Sequence, residues 1–203
     1  MLLGRAVAER SPVDPLVAAL PRGGVPVGFE VSQVLGCDLD VLVVRKVGVP
    51  FQTELAMGAV GEKGVVVRNR EVMRAARITE AIFETVVAAE TMELEARVGI
   101  YREAVDPIDP AGKTVIITDD GLATGSTALA AIDVARAGGA LEVWVAVPVA
   151  PADSIARVEA VADQLVVLHR PQRFMAVGAW YRDFSQTSNA EVSDLLRRSR
   201  AGG

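Results

Sequence analysis

The sequence predicts an α/β fold: a doubly wound, mostly parallel sheet with helices on both faces and a small C-terminal hood. Three observations carry that prediction. Apolar runs of strand length alternate with stretches of helical period. Each strand run is continuously apolar, as in strands covered on both faces. Finally, 51% of the chain is hydrophobic but only 4% aromatic, a balance that suits small helices packed on a sheet. The 203 residues fit a single domain, 1–203, with a core from about 15 to 169 and a hood or tail from about 170 to 203.

The elements follow in order. PLVAAL (Pro15–Leu20) reads as a first buried strand, followed at once by PRGG. VPVGFEVSQVLG (Val25–Gly36) carries a helical period and stops at Gly36, a natural C-terminal cap. DLDVLVVRK (Asp38–Lys46) reads as one second buried strand. The Gly- and Pro-interrupted stretch Val47–Gly64 and the VVVR after it read as a loop plus a short hairpin. From Thr79 to Arg102 the pattern is helical, with Thr79 as N-cap, Glu80 and Glu84 near the positive end of the dipole, and Ile82, Phe83, Val86 and Val87 as its apolar stripe. DPIDPAG (Asp106–Gly112) breaks the chain before the strand Val115–Thr118. A helix over Ser126–Ala137, a strand LEVWVAVPV, a helix over Ala152–Ala162 and a strand QLVVLH complete the alternation. The tail differs in texture. It holds Phe174, Trp180, Tyr181 and Phe184 and closes on a short helix, EVSDLLRRSRAGG.

Composition excludes several functions. The formal net charge is −5, which argues against the basic footprint of a nucleic-acid binder. The single cysteine, Cys37, forms no intrachain disulfide, and no zinc-ligand spacing is present. The single histidine, His169, ends the run LVVLH without a nucleophile pattern near it. MLLGRAVAERSP has no apolar h-region, and no window approaches a membrane span, so the expectation is a cytoplasmic protein with no membrane partner.

One stretch carries chemistry: VIITDDGLATGST, Val115 to Thr127. Asp119 and Asp120 stand at the carboxyl end of a strand, where ligands bind in parallel α/β sheets. The loop after them runs into a helix N-terminus, whose unpaired N–H groups suit a phosphate. Gly125 permits close approach, and Thr124, Ser126 and Thr127 add hydroxyl donors. Two carboxylates do not bind a phosphate themselves; they accept from sugar hydroxyls or approach a metal. No Gly-Lys-Ser/Thr follows, so this is not a Walker loop.

This motif resembles the phosphoribosyl-pyrophosphate (PRPP) motif of the type I phosphoribosyltransferases. The resemblance implies that Asp119 and Asp120 bind the ribose 2′- and 3′-hydroxyls, with Gly121 at the turn, and that Ala123, Thr124, Gly125, Ser126 and Thr127 wrap the 5′-phosphate. PRGG is similar to the family's pyrophosphate loop, often a strained or cis peptide, and would contribute Arg22, Gly23 and Gly24. Arg45 and Lys46, ending the second strand on the same edge, would join them as pyrophosphate contacts and catalytic cations alongside Asp119 and Asp120. Val47–Met57 occupies the place of the family's mobile loop. LPRGGVPV, VRK-x-G-x-P, ELAMGAV and AVGAWYRDFSQ resemble, in order, a bacterial subgroup of uncharacterised members, so the likeness runs from about Leu20 to Gln186.

The implied reaction is Mg²⁺-dependent transfer of phosphoribose from PRPP to a base with release of pyrophosphate. Asp119, Asp120 or Asp183 could approach the metal, and Glu54 and Asp183 are secondary candidates for metal or base contacts. Phe174, Trp180 and Tyr181 are candidates to stack on the base. The hood resembles that of hypoxanthine-guanine enzymes but is one residue longer in its Phe-to-Gly and Gly-to-Asp spacings. A homodimer is the family default. Two other readings stay open: a PRPP or nucleotide sensor without catalysis, and a metal-dependent phosphohydrolase using the aspartate pair.

Overall fold

The computed structural model describes residues 1–201, apart from the side chain of Glu54. In chain order the elements are α1 (Leu2–Ala8), β1 (Pro15–Ala19), α2 (Gly24–Leu35), β2 (Asp38–Val41), β3 (Val44–Val49), β4 (Gln52–Gly61), β5 (Val66–Arg68), α3 (Arg70–Ala75), α4 (Glu80–Arg102), β6 (Thr114–Thr118), α5 (Ser126–Ala137), β7 (Glu142–Val149), α6 (Ala152–Glu159), β8 (Gln164–His169) and α7 (Asn189–Ala201). Five strands form one sheet in the order β2-β1-β6-β7-β8, and every pairing in it is parallel. This is the mostly parallel sheet that the continuous apolar runs predict.

Period-2 alternation divides the side chains of this sheet between two cores. Val17, Ala19, Leu39, Ile116, Trp144 and Val166 face α1, α2 and α7, where Leu3, Val7, Val25, Val31, Val192 and Leu196 meet them. Ala18, Leu20, Val115, Ile117, Val143 and Val145 face the opposite way, onto Ala131, Ile132 and Ala135 of α5 and Ile155 and Val158 of α6. Each fully buried Val, Leu or Ile contributes roughly 1.5–3 kcal/mol. Both faces are therefore covered.

The second predicted strand is where the structure differs most. Asp38–Lys46 is not one strand: the ladder to β1 ends where the Leu42 N–H donates to Ala19 O at 2.9 Å. The partner turns away at Pro21, so nothing remains for the chain to pair with. It leaves the main sheet and begins β3, antiparallel to β4. Arg45 and Lys46 thus belong to a separate three-stranded sheet, β3-β4-β5, not to the edge of the main one.

The stretch read as loop and short hairpin is largely strand, turning at Pro50 and Phe51. Its glycines mark close packing instead of breaks. A Cβ on Gly58 would collide with Val67 O, and one on Gly61 with the Val134 side chain of α5.

Helix α4 covers the other face of the small sheet. Its cap is the one predicted, the Thr79 hydroxyl accepting from Ile82 N–H at 3.3 Å. Its buried stripe is Phe83, Val87, Leu94 and Tyr101, while Ile82 is 41% exposed. Beyond β8, residues 170–188 hold only a 3₁₀ turn at Val177–Trp180, and α7 then packs back onto the core through Val192 and Leu196. Among the described residues, no helix is long and apolar enough to cross a membrane.

Candidate functional site

In the sheet order β2-β1-β6-β7-β8 the chain proceeds outward in both directions from the β1–β6 pair. Crevices form at such a reversal, beyond the carboxyl ends of the strands. The two loops leaving β1 and β6 are Leu20–Gly24 and Asp119–Gly125, the two segments that the motif reading singles out. They lie against each other. The Leu20 N–H donates to Thr118 O at 2.8 Å, and a Cβ on Gly24 would stand 2.5 Å from that same carbonyl oxygen. One on Gly23 would strike the Asp120 carboxylate. The Pro21–Arg22 peptide is cis, as the resemblance implies. Only glycine at both positions lets the loop sit this close to the aspartates.

Asp119 and Asp120 are partly buried, and their environments differ. Burial pushes the Asp119 carboxyl up to about 7; the adjacent Asp120 charge adds to the rise, and the Asp120 N–H donating to it opposes. That N–H reaches Asp119 Oδ1 at 2.9 Å. Asp120 is also raised by burial, against the pull of the Gly121 N–H. Gly121 is itself buried, with no room for a Cβ between Val149 and Val177.

The following loop is braced from outside. Ser154 Oγ donates to Ala123 O, and Arg157 donates to Thr124 O at 2.9 Å, both from α6. Gly125 takes the left-handed conformation at φ 74° as the N-cap of α5, which few other residues adopt without strain. The Ser126 N–H is 3.4 Å from Thr124 Oγ1. Among the described residues, the N–H groups of Thr127 and Ala128 have no protein acceptor. With its carbonyls tied back and its amides unused, the loop presents the positive end of a twelve-residue helix, the arrangement that binds phosphate.

Two cavities flank this centre. One, of about 550 Å³, is lined by Pro21, Arg45, Lys46, Glu90, Arg97 and Thr127, among others. Arg45 is ion-paired there, its Nη2 and Nε each 2.7 Å from Glu90 Oε2. The other, of about 530 Å³, lies under the hood between Arg22, Gly23 and Asp120 on one side and Tyr181, Asp183 and Phe184 on the other. The turn after β1 touches both: Pro21 lines the first cavity and Arg22 and Gly23 the second.

The hood aromatics do different things. The Tyr181 hydroxyl donates to Asp120 O at 2.6 Å; burial, then the charges of Asp120 and Asp119, push its phenol up to about 12. Trp180 instead packs on His169, ring centroids 4.6 Å apart, and neither it nor Phe174 lines the hood cavity. Phe184, 5.2 Å from the Tyr181 ring and half exposed, does line it.

Sequence reasoning named Phe184 only as an aromatic and passed over Glu90, Arg97, Ser154 and Arg157. Glu90 and Arg97 are seven residues apart, two turns on one helix face, the one signal that could have paired them.

Among the described residues, no cluster of three or more His, Cys, Asp or Glu could enclose a metal. Adjacent carboxylates at 119 and 120 fit Mg²⁺ all the same, because that ion takes one or two carboxylates and completes its shell with water and substrate phosphates. Asp183 lines the hood cavity with its Oδ1 accepting from Ser185 N–H at 2.9 Å. The Glu54 side chain lies outside the described set. Cys37 is half-buried, and burial pushes its thiol up to about 11, which makes it a poor nucleophile.

The fold and this constellation define a type I phosphoribosyltransferase-like domain. The chain belongs to the phosphoribosyl transferase domain family, whose profile matches residues 5–172. Rv0571c of Mycobacterium tuberculosis H37Rv, which bears phosphoribosyl transferase as a provisional name, is 48% identical over 197 residues. That match covers 97% of this chain but 44% of the relative, so the chain spans less than half the length of the curated protein it matches. The crystal structure of TT1426 from Thermus thermophilus is 40% identical, with a TM-score of 0.93, and the match covers 97% of this chain and 93% of that one.

Proposed function

We propose that the protein transfers the phosphoribosyl group of PRPP, with Mg²⁺, to a ring nitrogen of a base or similar acceptor, releasing pyrophosphate. The observation that carries this reading is the convergence, at the β1–β6 reversal, of an open phosphate loop, two carboxylates and two separate cavities. PRPP has four parts to place: 5′-phosphate, ribose, leaving pyrophosphate and the approach of an acceptor. Loop, aspartates and the two cavities offer one place for each.

In the reaction, the bond from ribose C1 to the pyrophosphate oxygen breaks. A bond from C1 to the acceptor nitrogen forms, the acceptor loses a proton, and pyrophosphate departs with the bonding electrons. Asp119 and Asp120 would accept from the ribose hydroxyls, and their negative charge would then lie close to the ring that becomes cationic. The Thr127 and Ala128 amides would fix the phosphate and hence the position of C1. Arg22 and the cations of the larger cavity would face the departing pyrophosphate. Mg²⁺, when bound beside Asp119 and Asp120, would shield the phosphate charge. The hood would limit access of water to C1. A sensor of PRPP or of a nucleotide needs the loop and the aspartates but not two cavities, which favours the enzyme.

Calorimetric titration of PRPP with Mg²⁺ into wild type and Asp120→Asn tests the reading. Losing one charged acceptor should weaken binding by roughly 1.5–3 kcal/mol, about ten- to a hundredfold. Wild-type protein that is folded yet indifferent to PRPP would remove the basis of the proposal.

A further inference from the structure

We propose that Arg97 of α4 is a pyrophosphate-binding residue, supplying the positive charge that Arg45 already shares with Glu90. The inference rests on the PRPP reading and extends it to a residue that no motif contains.

The larger cavity is bounded on one side by the Leu20–Pro21 turn and Thr127 of the phosphate loop, and on another by β3 and α4. The cations lining it are Arg45, Lys46 and Arg97, and Glu90 is the carboxylate among its described side chains. Glu90 is committed. Its Oε2 lies 2.7 Å from both Nε and Nη2 of Arg45, with both partners about three-quarters buried. An incoming phosphate would have to compete with that carboxylate for the guanidinium. Arg97 has no such competitor: among the described residues, no carboxylate lies within ion-pair distance of it.

Helix geometry places Arg97 on the useful side. Val86, Glu90 and Arg97 line the cavity at spacings of four and seven, one face of α4. Seven residues carry Arg97 roughly 10 Å along the axis from Glu90, toward Tyr101. There the charges of both Arg22 and Arg97 act on the Tyr101 phenol, opposing the rise that burial causes. Arg97 thus reaches the cavity from α4, while Pro21, beside Arg22 in the cis-peptide turn, lines the same cavity from β1. A pyrophosphate leaving ribose C1 carries several negative charges on adjacent phosphates. A guanidinium on the cavity wall that no carboxylate among the described residues holds matches it in sign and hydrogen-bonding geometry.

The test is calorimetry with Mg²⁺, using PRPP and ribose 5-phosphate as the two probes, on wild type, Arg97→Gln, Arg97→Lys and Arg74→Gln. Arg74 is exposed on α3 and controls for loss of one charge. Arg97→Gln should weaken PRPP about tenfold or more and leave ribose 5-phosphate unchanged. Arg97→Lys should recover part of the loss, and Arg74→Gln should match wild type. Equal PRPP affinity in wild type and Arg97→Gln would overturn the assignment. So would a parallel loss for ribose 5-phosphate, which marks a structural role. Wild type that binds neither probe would instead refute the PRPP reading on which the assignment stands.

Discussion

Asp119 has the residue-scale property that most directly links structure to function. Its carboxyl sits at about 7 instead of the ordinary 3.8 because burial penalises the anion. Ribose hydroxyls donate best to the ionised form, so ligand binding should favour deprotonated Asp119. Affinity for ribose 5-phosphate is expected to rise from about pH 6 to about pH 8. The 5′-phosphate also ionises near pH 6, so the measurement is the difference between wild-type and Asp119→Asn pH profiles. Parallel profiles would show that Asp119 is not the titrating partner. The sign for stability is opposite. An acid raised in the folded state supports the fold fully below about pH 4, and that support is lost as pH rises through about 7. The free protein therefore carries a destabilised anion at neutral pH, which a bound ribose or cation would relieve on the proposed reading. The aspartate pair itself was legible in the sequence because an apolar strand and a loop of Gly, Thr and Ser bracket it. The burial that raises both carboxyls was not, since the Tyr181 hydroxyl and the Gly23 turn that close over the pair are remote in sequence.

At the scale of elements, the loops succeed or fail by how closely backbones approach. Gly24 leaves no room for a Cβ against Thr118 O and Asp119 Cα. Gly24→Ala should push the β1–α2 turn away from β6, costing roughly 1–3 kcal/mol of stability and at least about tenfold in PRPP affinity. Gly99 supplies the contrast. It is exposed in α4, and a Cβ placed there would meet nothing within 4 Å, so Gly99→Ala should stabilise by roughly 0.5–1 kcal/mol. Urea midpoints moving in opposite directions would check both. The same comparison explains where element reading stopped. Val25–Gly36 and Ser126–Ala137 were readable because glycines bound them, and Gln164–His169 because its apolar run is bounded by polar residues and Pro171. Asp38–Lys46 was not, since a run of Val and Leu looks alike whether it stays in one sheet or crosses to another. The break depends on β1 ending at Pro21. Helix α3 is only six residues long, too short for a period, and its Asn69 cap gave the only local sign.

Over the whole molecule, the main sheet and the small antiparallel sheet must hold a fixed relation, because the larger cavity is walled by both. One buried knot does much of this. Arg102, at the end of α4, pairs with Asp40 of β2 at 2.7 Å and with Glu62, just after β4, at 2.8 Å, and all three side chains are at most 15% exposed. Asp40 Oδ2 also accepts from Ile108 N–H at 2.8 Å, which fixes the segment leading into β6. No sequence window joins positions 40, 62, 102 and 108; the charges read individually as ordinary surface residues. Removing the cation alone leaves two buried carboxylates facing each other, which costs about 3–5 kcal/mol. Arg102→Ala should therefore lower unfolding free energy by that amount, read from urea denaturation at neutral pH. Arg102→Ala combined with Asp40→Asn and Glu62→Gln should recover stability, since neutral partners carry no buried charge. A single variant as stable as wild type would mean the two sheets are held by apolar packing through α4 and α5 alone, and that the ion cluster adds nothing to their alignment.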